Sequence, residues 1–164
     1  MPSLAIGAAV SAMVAKHIGA GREDRVDRIG FDGSAVNLAM TAVLIALLVA
    51  FDRYALALFL GSDSPAIPIA LHIQWLAIWS YLPFGITIVL FGTLRAYGAV
   101  WTPIAVLLAS MYGVRLAFYF LGYPYLGSDA LWLSFTFSSV TSTLFTLYAY
   151  FRTGWRNREN LAPA

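Results

Sequence analysis

Apolar residues in this chain neither alternate with polar ones nor recur at every third or fourth place. They run together in long blocks divided by short charged or glycine-containing links. Such blocks predict helices surrounded by apolar material on all sides, rather than the half-buried faces of strands or surface helices. Residues 2–15 form the first block and end in a polar stretch, 16–33, that holds Gly19-Ala20-Gly21 and a run of charges from Arg22 to Arg28. Residues 34–51 form the second, extended by 54–60 past a charged step at Asp52-Arg53. A turn at 61–65 offers Ser64 to cap and Pro65 to open the next helix. The third block, 67–94, contains Pro83, where a missing backbone donor allows a bend. Residues 103–121, with Arg115 embedded, and 130–151 complete the set. A hydrocarbon core of ~30 Å needs ~20 helical residues to cross it, which the later blocks supply and the first does not. The pattern therefore predicts an all-α, polytopic transmembrane bundle of about five spans, the first truncated. It reads as one membrane domain over 1–164 with a polar tail at 152–164.

Composition agrees with the pattern. Of the 164 residues 60% are hydrophobic and 11% charged, with a mean hydropathy of +0.76, where soluble domains carry about 25% charged residues. Within a bilayer every backbone donor and acceptor must be paired inside the protein, which leaves helices and closed barrels. A barrel would show alternating segments of ~10 residues, and none is seen. The chain has no cysteine, so disulfides, thiolate metal sites and cysteine nucleophiles are excluded. A net charge of +2 gives no footprint for nucleic acid. No metal site, cofactor motif, HExxH, GxSxG, phosphate loop or paired catalytic carboxylates can be read, so the chain is not expected to be an enzyme.

The placement of charge orients the bundle. Of the ten basic residues, Lys16, Arg22, Arg25, Arg28, Arg95, Arg152, Arg156 and Arg158 fall on one side. Arg53 lies toward the other, and Arg115 lies within a span. Short cytoplasmic loops collect Lys and Arg, so the basic side, including the C-terminus, is expected to be cytoplasmic in an inner (plasma) membrane. Trp101, Trp132, Trp155, Tyr97, Tyr123 and Tyr125 fall near span ends, where amphipathic rings settle at headgroups.

The stretch from Gly7 through Ala15-Lys16-His17-Ile18-Gly19-Ala20-Gly21-Arg22 and Asp24-Arg25-Val26 resembles the helix end and GAG signature of the multidrug and toxic compound extrusion (MATE) family. Phe59-Leu60-Gly61-Ser62-Asp63 resembles the family's following outer turn. Tyr81-Leu82-Pro83-Phe84, Leu94-Arg95-Ala96-Tyr97-Gly98 with Pro103, and Val114-Arg115-Leu116 resemble its next two helices. The weight lies in their order and spacing over nearly the whole chain. The resemblance implies a twelve-helix, two-lobed exporter, of which this chain, with its basic tail, would supply about helices eight to twelve. The N-terminal lobe and seventh helix would then be a missing partner. It further implies a secondary antiporter exporting organic cations or amphipathic drugs against protons or sodium. No carboxylate lies deep in the later spans, so the coupling-ion site is expected outside this chain.

Candidate site residues follow from polar groups inside spans. Gln74 and Thr87, 13 residues apart on the proline-containing helix, share a face if it bends at Pro83. Together with Trp75, Tyr81 and Phe84 they form a candidate substrate cleft, or alternatively an interhelical packing surface. Arg115 is the intramembrane charge, with Asp129 or Asp52 as its expected partner. Gly19 and Gly21 are expected to cap their helix, with a hinge as the alternative. His17, beside Lys16 at a helix end, is read as interfacial before it is read as a proton site. The hydroxyl series Ser134, Thr136, Ser138, Ser139, Thr141, Ser142 and Thr143 is expected to bond back to its own helix and to admit close neighbours. Two rivals stand beside the exporter. One is a related flippase of lipid-linked or polysaccharide precursors, whose cleft should hold more basic residues than Arg115. The other is a small non-transporting protein assembling through Gly7, Ser11 and Ala15. The charge sorting predicts cytoplasmic segments at 19–28, 95–101 and 152–164 and outer ones at 61–65 and 123–128. Single cysteines at Ser62 and Thr153 should therefore react with an impermeant thiol reagent from opposite sides of intact cells; reaction from one side would overturn the topology.

Overall fold

The computed structural model describes residues 2–61 and 64–152. Ser62, Asp63 and the tail from Thr153, with its expected Trp155, Arg156 and Arg158, lie outside the described residues. Among the described residues every element is helical: α1 (Pro2–Gly19), a 3₁₀ turn (Glu23–Arg25), α2 (Val26–Leu60), α3 (Ala66–Ile78) and α4 (Tyr81–Ala96) come first. They are followed by α5 (Trp101–Leu108), a π-turn (Ala109–Val114), α6 (Arg115–Leu126) and α7 (Asp129–Arg152). Val26–Leu60, Trp101–Leu126 and Asp129–Arg152 are each long and apolar enough to cross a bilayer, and α3 with α4 makes a further span bent by 43°. Their outward faces stay apolar, Leu58 and Phe59 being 83% and 85% exposed, as lipid-facing surfaces require.

The polar link after α1 is shorter than the charge pattern suggested. Gly21 takes a left-handed φ of 69°, and the Arg22 N–H reaches back to the His17 carbonyl at 2.9 Å, closing the helix with a six-residue loop. Gly19 itself ends α1 without positive φ, so the capping conformation belongs to Gly21 alone. From Val26 the chain is already helical and does not break at residue 33. Asp27, Arg28 and Asp32 lie at the start of the same 35-residue helix that later crosses, ~52 Å in all.

At the centre lies α4, with α1, α2 and α7 packed around it. Gly92 and Gly7 bring α4 and α1 into backbone contact: a Cβ on Gly92 would collide with the Gly7 carbonyl. Gly85 does the same for α2, a Cβ there meeting the Asn37 amide, and Gly33 admits Val10. Small residues at crossings are how membrane helices gain dispersion contacts without a hydrophobic drive between them. The closed core gathers toward the basic end, where Val10, Val14, Val26, Leu90, Leu94 and Tyr150 are buried. There Tyr150 Oη donates to Asp27 Oδ1 at 2.7 Å, tying the end of α7 to the start of α2.

The third predicted block divides at Trp79-Ser80, one turn before Pro83, as expected where a proline ring crowds the carbonyl four residues back. Bending diverts the Ser80 N–H to the Ala77 carbonyl at 3.0 Å. The fourth block is interrupted by the π-turn at 109–114, a local widening of the helix by one residue.

Since the Gly7–Gly92 crossing leaves no room for side chains, Gly92→Leu should destabilise the folded protein by at least about 1–3 kcal/mol. Nothing stands within 4 Å of a Cβ at Gly19, so Gly19→Ala should fall within about 0.5 kcal/mol of the parent. Thermal aggregation of the detergent-extracted protein compares the two, and equal midpoints would show that the crossing contributes nothing.

Candidate functional site

A cavity of about 890 Å³ opens between the first turn of α1, the second half of α2, and α3 with the start of α4. Its wall is built mainly from aliphatic side chains, among them Leu44, Ile45, Leu48, Ile73 and Ile88. Into it project Ser3, Thr41, Gln74 and Tyr81, with Phe84 as an aromatic wall. An apolar concavity of 300–1,000 Å³ with a few polar groups is the usual form of a small-molecule site.

The bend creates this space. Straight helices packed at 8–10 Å leave only interstices, whereas the 43° turn between α3 and α4 swings α3 against α7 while α4 stays with α1 and α2. A broken helix has carbonyls to satisfy, and α7 satisfies them. Thr136 Oγ1 donates to the Leu76 carbonyl at 2.9 Å, the acceptor left behind when Ser80 turned to Ala77. Thr143 Oγ1 lies 2.7 Å from the Pro83 carbonyl and 3.0 Å from Thr87 Oγ1. The hydroxyl face of α7 is accordingly its packed face, with Ser134, Ser138, Ser139, Ser142, Thr143 and Thr146 all buried. Ser134, Ser138, Ser139, Thr141, Thr143 and Thr146 each also bond to a carbonyl of their own helix.

Of the five residues expected to share a cleft, the structure brings Gln74, Tyr81 and Phe84 to the cavity and leaves two elsewhere. Trp75 turns outward, 54% exposed, with its ring 5.8 Å from that of Trp79. Thr87 is fully buried in the seam with α7. The reason is the position of the break: it falls between Gln74 and Thr87, so their spacing does not place them on one face.

Arg115 meets neither carboxylate expected of it. Asp129 opens α7 and holds His72 Nε2 at 2.9 Å, while Asp52 accepts from Gln74 Nε2 at 3.5 Å. Arg115 sits farther inside, where Nε and Nη2 both donate to Ser138 Oγ at 3.2 Å and its Cζ lies 4.1 Å from the Phe135 ring centroid. A hydroxyl and an aromatic face hold the cation in place of an ion pair. His17 turns its Nδ1 to the Met13 carbonyl at 2.9 Å, within its own helix.

Sequence reading passed over Ser3, Thr41 and Asn37, and named Asp52 only as a partner for Arg115. Asn37 is completely buried against Gly85, and neither of its amide atoms has a partner among the described residues. The signal was present for Asn37, a lone amide in an apolar block. Asp52 was assigned to a charged step in a helix expected to run on to Leu60, as it does, but nothing in the spacing showed that it would meet Gln74.

The MatE family model matches residues 1–121. The chain is 30% identical over 161 residues to a Bacillus subtilis (strain 168) protein described as "Probable multidrug resistance protein YoeA", covering 97% of this chain and 34% of that protein. It is 29% identical over 153 residues to a second from the same organism, "Probable multidrug resistance protein YpnP", covering 90% and 34%. The chain thus spans about a third of the length of the curated relatives it matches. No solved structure matches.

The α7 seam predicts a structural phenotype. Thr143→Val, nearly isosteric but without a hydroxyl, should destabilise the helix bundle by about 0.5–2 kcal/mol without moving residues of the cavity wall. Unfolding of the purified protein in mixed micelles measures this, and an unchanged midpoint would remove Thr143 from the support of the bend.

Proposed function

The chain belongs to the MatE family, and from that premise we propose that it forms the substrate-holding part of a secondary antiporter. That antiporter would export organic cations or amphipathic drugs in exchange for protons or sodium. One observation carries the reading: the cavity joining Gln74, Tyr81 and Phe84 with the α1–α2 wall. Its volume suits a drug-sized molecule, its walls offer apolar burial of ~25 cal/mol per Å², and Tyr81 and Phe84 offer ring faces to a cation.

A cavity bounded by helices on either side of a bend is suited to alternating access. Tilting α3 relative to α4 about Trp79-Ser80 would change the cavity's width while α4 stays anchored to α1 at Gly7 and Gly92. Transporters often place their sites at discontinuous helices for this reason. The relatives are about three times longer, and further helices of such a transporter would close the cleft and supply the coupling-ion site. Membrane lipid surrounds the rest, with the basic end facing the cytoplasm. The rival based on self-assembly loses its motif, since Gly7 is buried against α4.

In the full-length transporter, alanine at Gln74, Tyr81 or Phe84 should alter the spectrum of compounds to which cells become resistant, by severalfold for individual drugs. An aromatic contact with a cation contributes about 0.5–2 kcal/mol. Alanine at Trp75 should leave the spectrum as it was. Growth inhibition across a panel of cationic, zwitterionic and neutral drugs, at matched protein abundance, makes the test. Wild-type spectra for all three cavity variants would overturn the assignment.

A further inference from the structure

The cavity's polar groups are all neutral; Ser3, Thr41, Gln74 and Tyr81 bring hydroxyls and an amide, and no Lys, Arg or His lines the wall. One charge lies at its rim. Asp52 stands one helical turn beyond Leu48, which lines the wall, and its Oδ2 accepts from the Nε2 of Gln74, which also lines it. No cation pairs with the carboxylate among the described residues. Among the described residues the ion pairs are Arg28 with Asp32 and His72 with Asp129, and Arg53 offers Asp52 only its backbone N–H. At 3.5 Å the Gln74 amide is a weak partner that a stronger donor would displace.

We propose that Asp52 is the residue that makes this cavity select for positive charge. An amphipathic monocation would seat its apolar body between Leu44, Ile45 and Phe84 and its charged end against Asp52, with Gln74 bridging the two. This deepens the proposed function and rests on it for the cavity's being the substrate site. The physics is that of a carboxylate beside low-dielectric walls. Its attraction for a cation is screened less there than in water, while a neutral molecule of the same shape gains only the apolar burial. Asp52 lies eight residues before the end of α2 at Leu60, ~12 Å along the axis. It is thus placed toward the boundary, away from the bilayer centre where a charge costs most.

The test uses the purified full-length transporter with tetraphenylphosphonium as the cation and triphenylphosphine oxide as a neutral molecule of similar aromatic bulk. Binding is followed by quenching of tryptophan fluorescence. Asp52→Asn should weaken tetraphenylphosphonium binding by about tenfold or more, Asp52→Glu by less than about threefold, and neither should change binding of the neutral compound. In energy, tenfold corresponds to about 1.4 kcal/mol. Equal tetraphenylphosphonium affinity in the Asn variant would overturn the proposal. An equal loss for the neutral compound would too, because it would make Asp52 a structural residue. Counter-ion-driven uptake of tetraphenylphosphonium into vesicles tests the broader reading separately. Asp52-dependent binding without uptake would sink the antiporter and keep the site; uptake that is normal in the Asn variant, with normal binding, would do the reverse.

Discussion

A helix that breaks inside a bilayer leaves carbonyls that water cannot reach, and most of this structure is arranged around answering that need. The break at Trp79-Ser80 leaves the Leu76 carbonyl of α3 without its helical donor. A helix rich in serine and threonine lies alongside; Thr136 supplies the missing donor at Leu76, and Thr143 adds a donor to the Pro83 carbonyl beside the bend. Without α7 the bend would be an unsatisfied kink, and without the bend there would be no cavity. Thr143 also lies within bonding distance of the Ser139 carbonyl of its own helix, whereas Thr136 gives its one donor to α3.

The other side of α4 is built on an opposite principle. Toward α1 and α2 it presents glycines, and the contacts at Gly7, Gly33, Gly85 and Gly92 are backbone to backbone or backbone to side chain, with no gap. Dispersion at close range is stiff, because it weakens steeply with a fraction of an ångström of separation. The bundle therefore has one side closed by glycine contacts, α1 and α2 on α4, and another joined through directional hydrogen bonds, α7 on α3 and α4. The cavity lies where the two meet, and Asp52 and Gln74 cross that boundary with one bond between them.

Fold class was legible in the sequence because long uninterrupted apolar blocks have few physical realisations. The five predicted blocks appear as helices α1, α2, the bent α3–α4 pair, α5 to α6, and α7; three of them, or four with the bent pair, are long and apolar enough to cross, and α1 is not among these. The site was legible only in part. Gln74, Tyr81 and Phe84 were reachable as polar and aromatic positions in a span. Thr87 was grouped with Gln74 on the spacing of a helix bent at Pro83, but a break at residues 79–80 changes which positions share a face; Trp75, next to Gln74 on α3, points ~100° away around the same helix and is exposed. The partners of Arg115 were guessed by opposite charge, yet the nearer groups were a hydroxyl and a ring, which pairing rules based on formal charge do not rank. Asp52 was matched to Arg115 by opposite charge, whereas in the folded chain it accepts from Gln74 of α3, a contact between helices that spacing along one helix does not reveal.

The π-turn at 109–114 decides where the intramembrane charge points. One extra residue within a continuous helix turns everything beyond it by ~100° relative to an uninterrupted one. Arg115 is the first residue after that turn, and it meets Ser138 and Phe135 on α7 with its present bearing. Deleting a single residue between Ala109 and Val114 would leave the composition of the helix almost untouched while rotating the guanidinium toward a different neighbour. The bearing of this charge therefore depends on the width of one turn as much as on the residue that carries it.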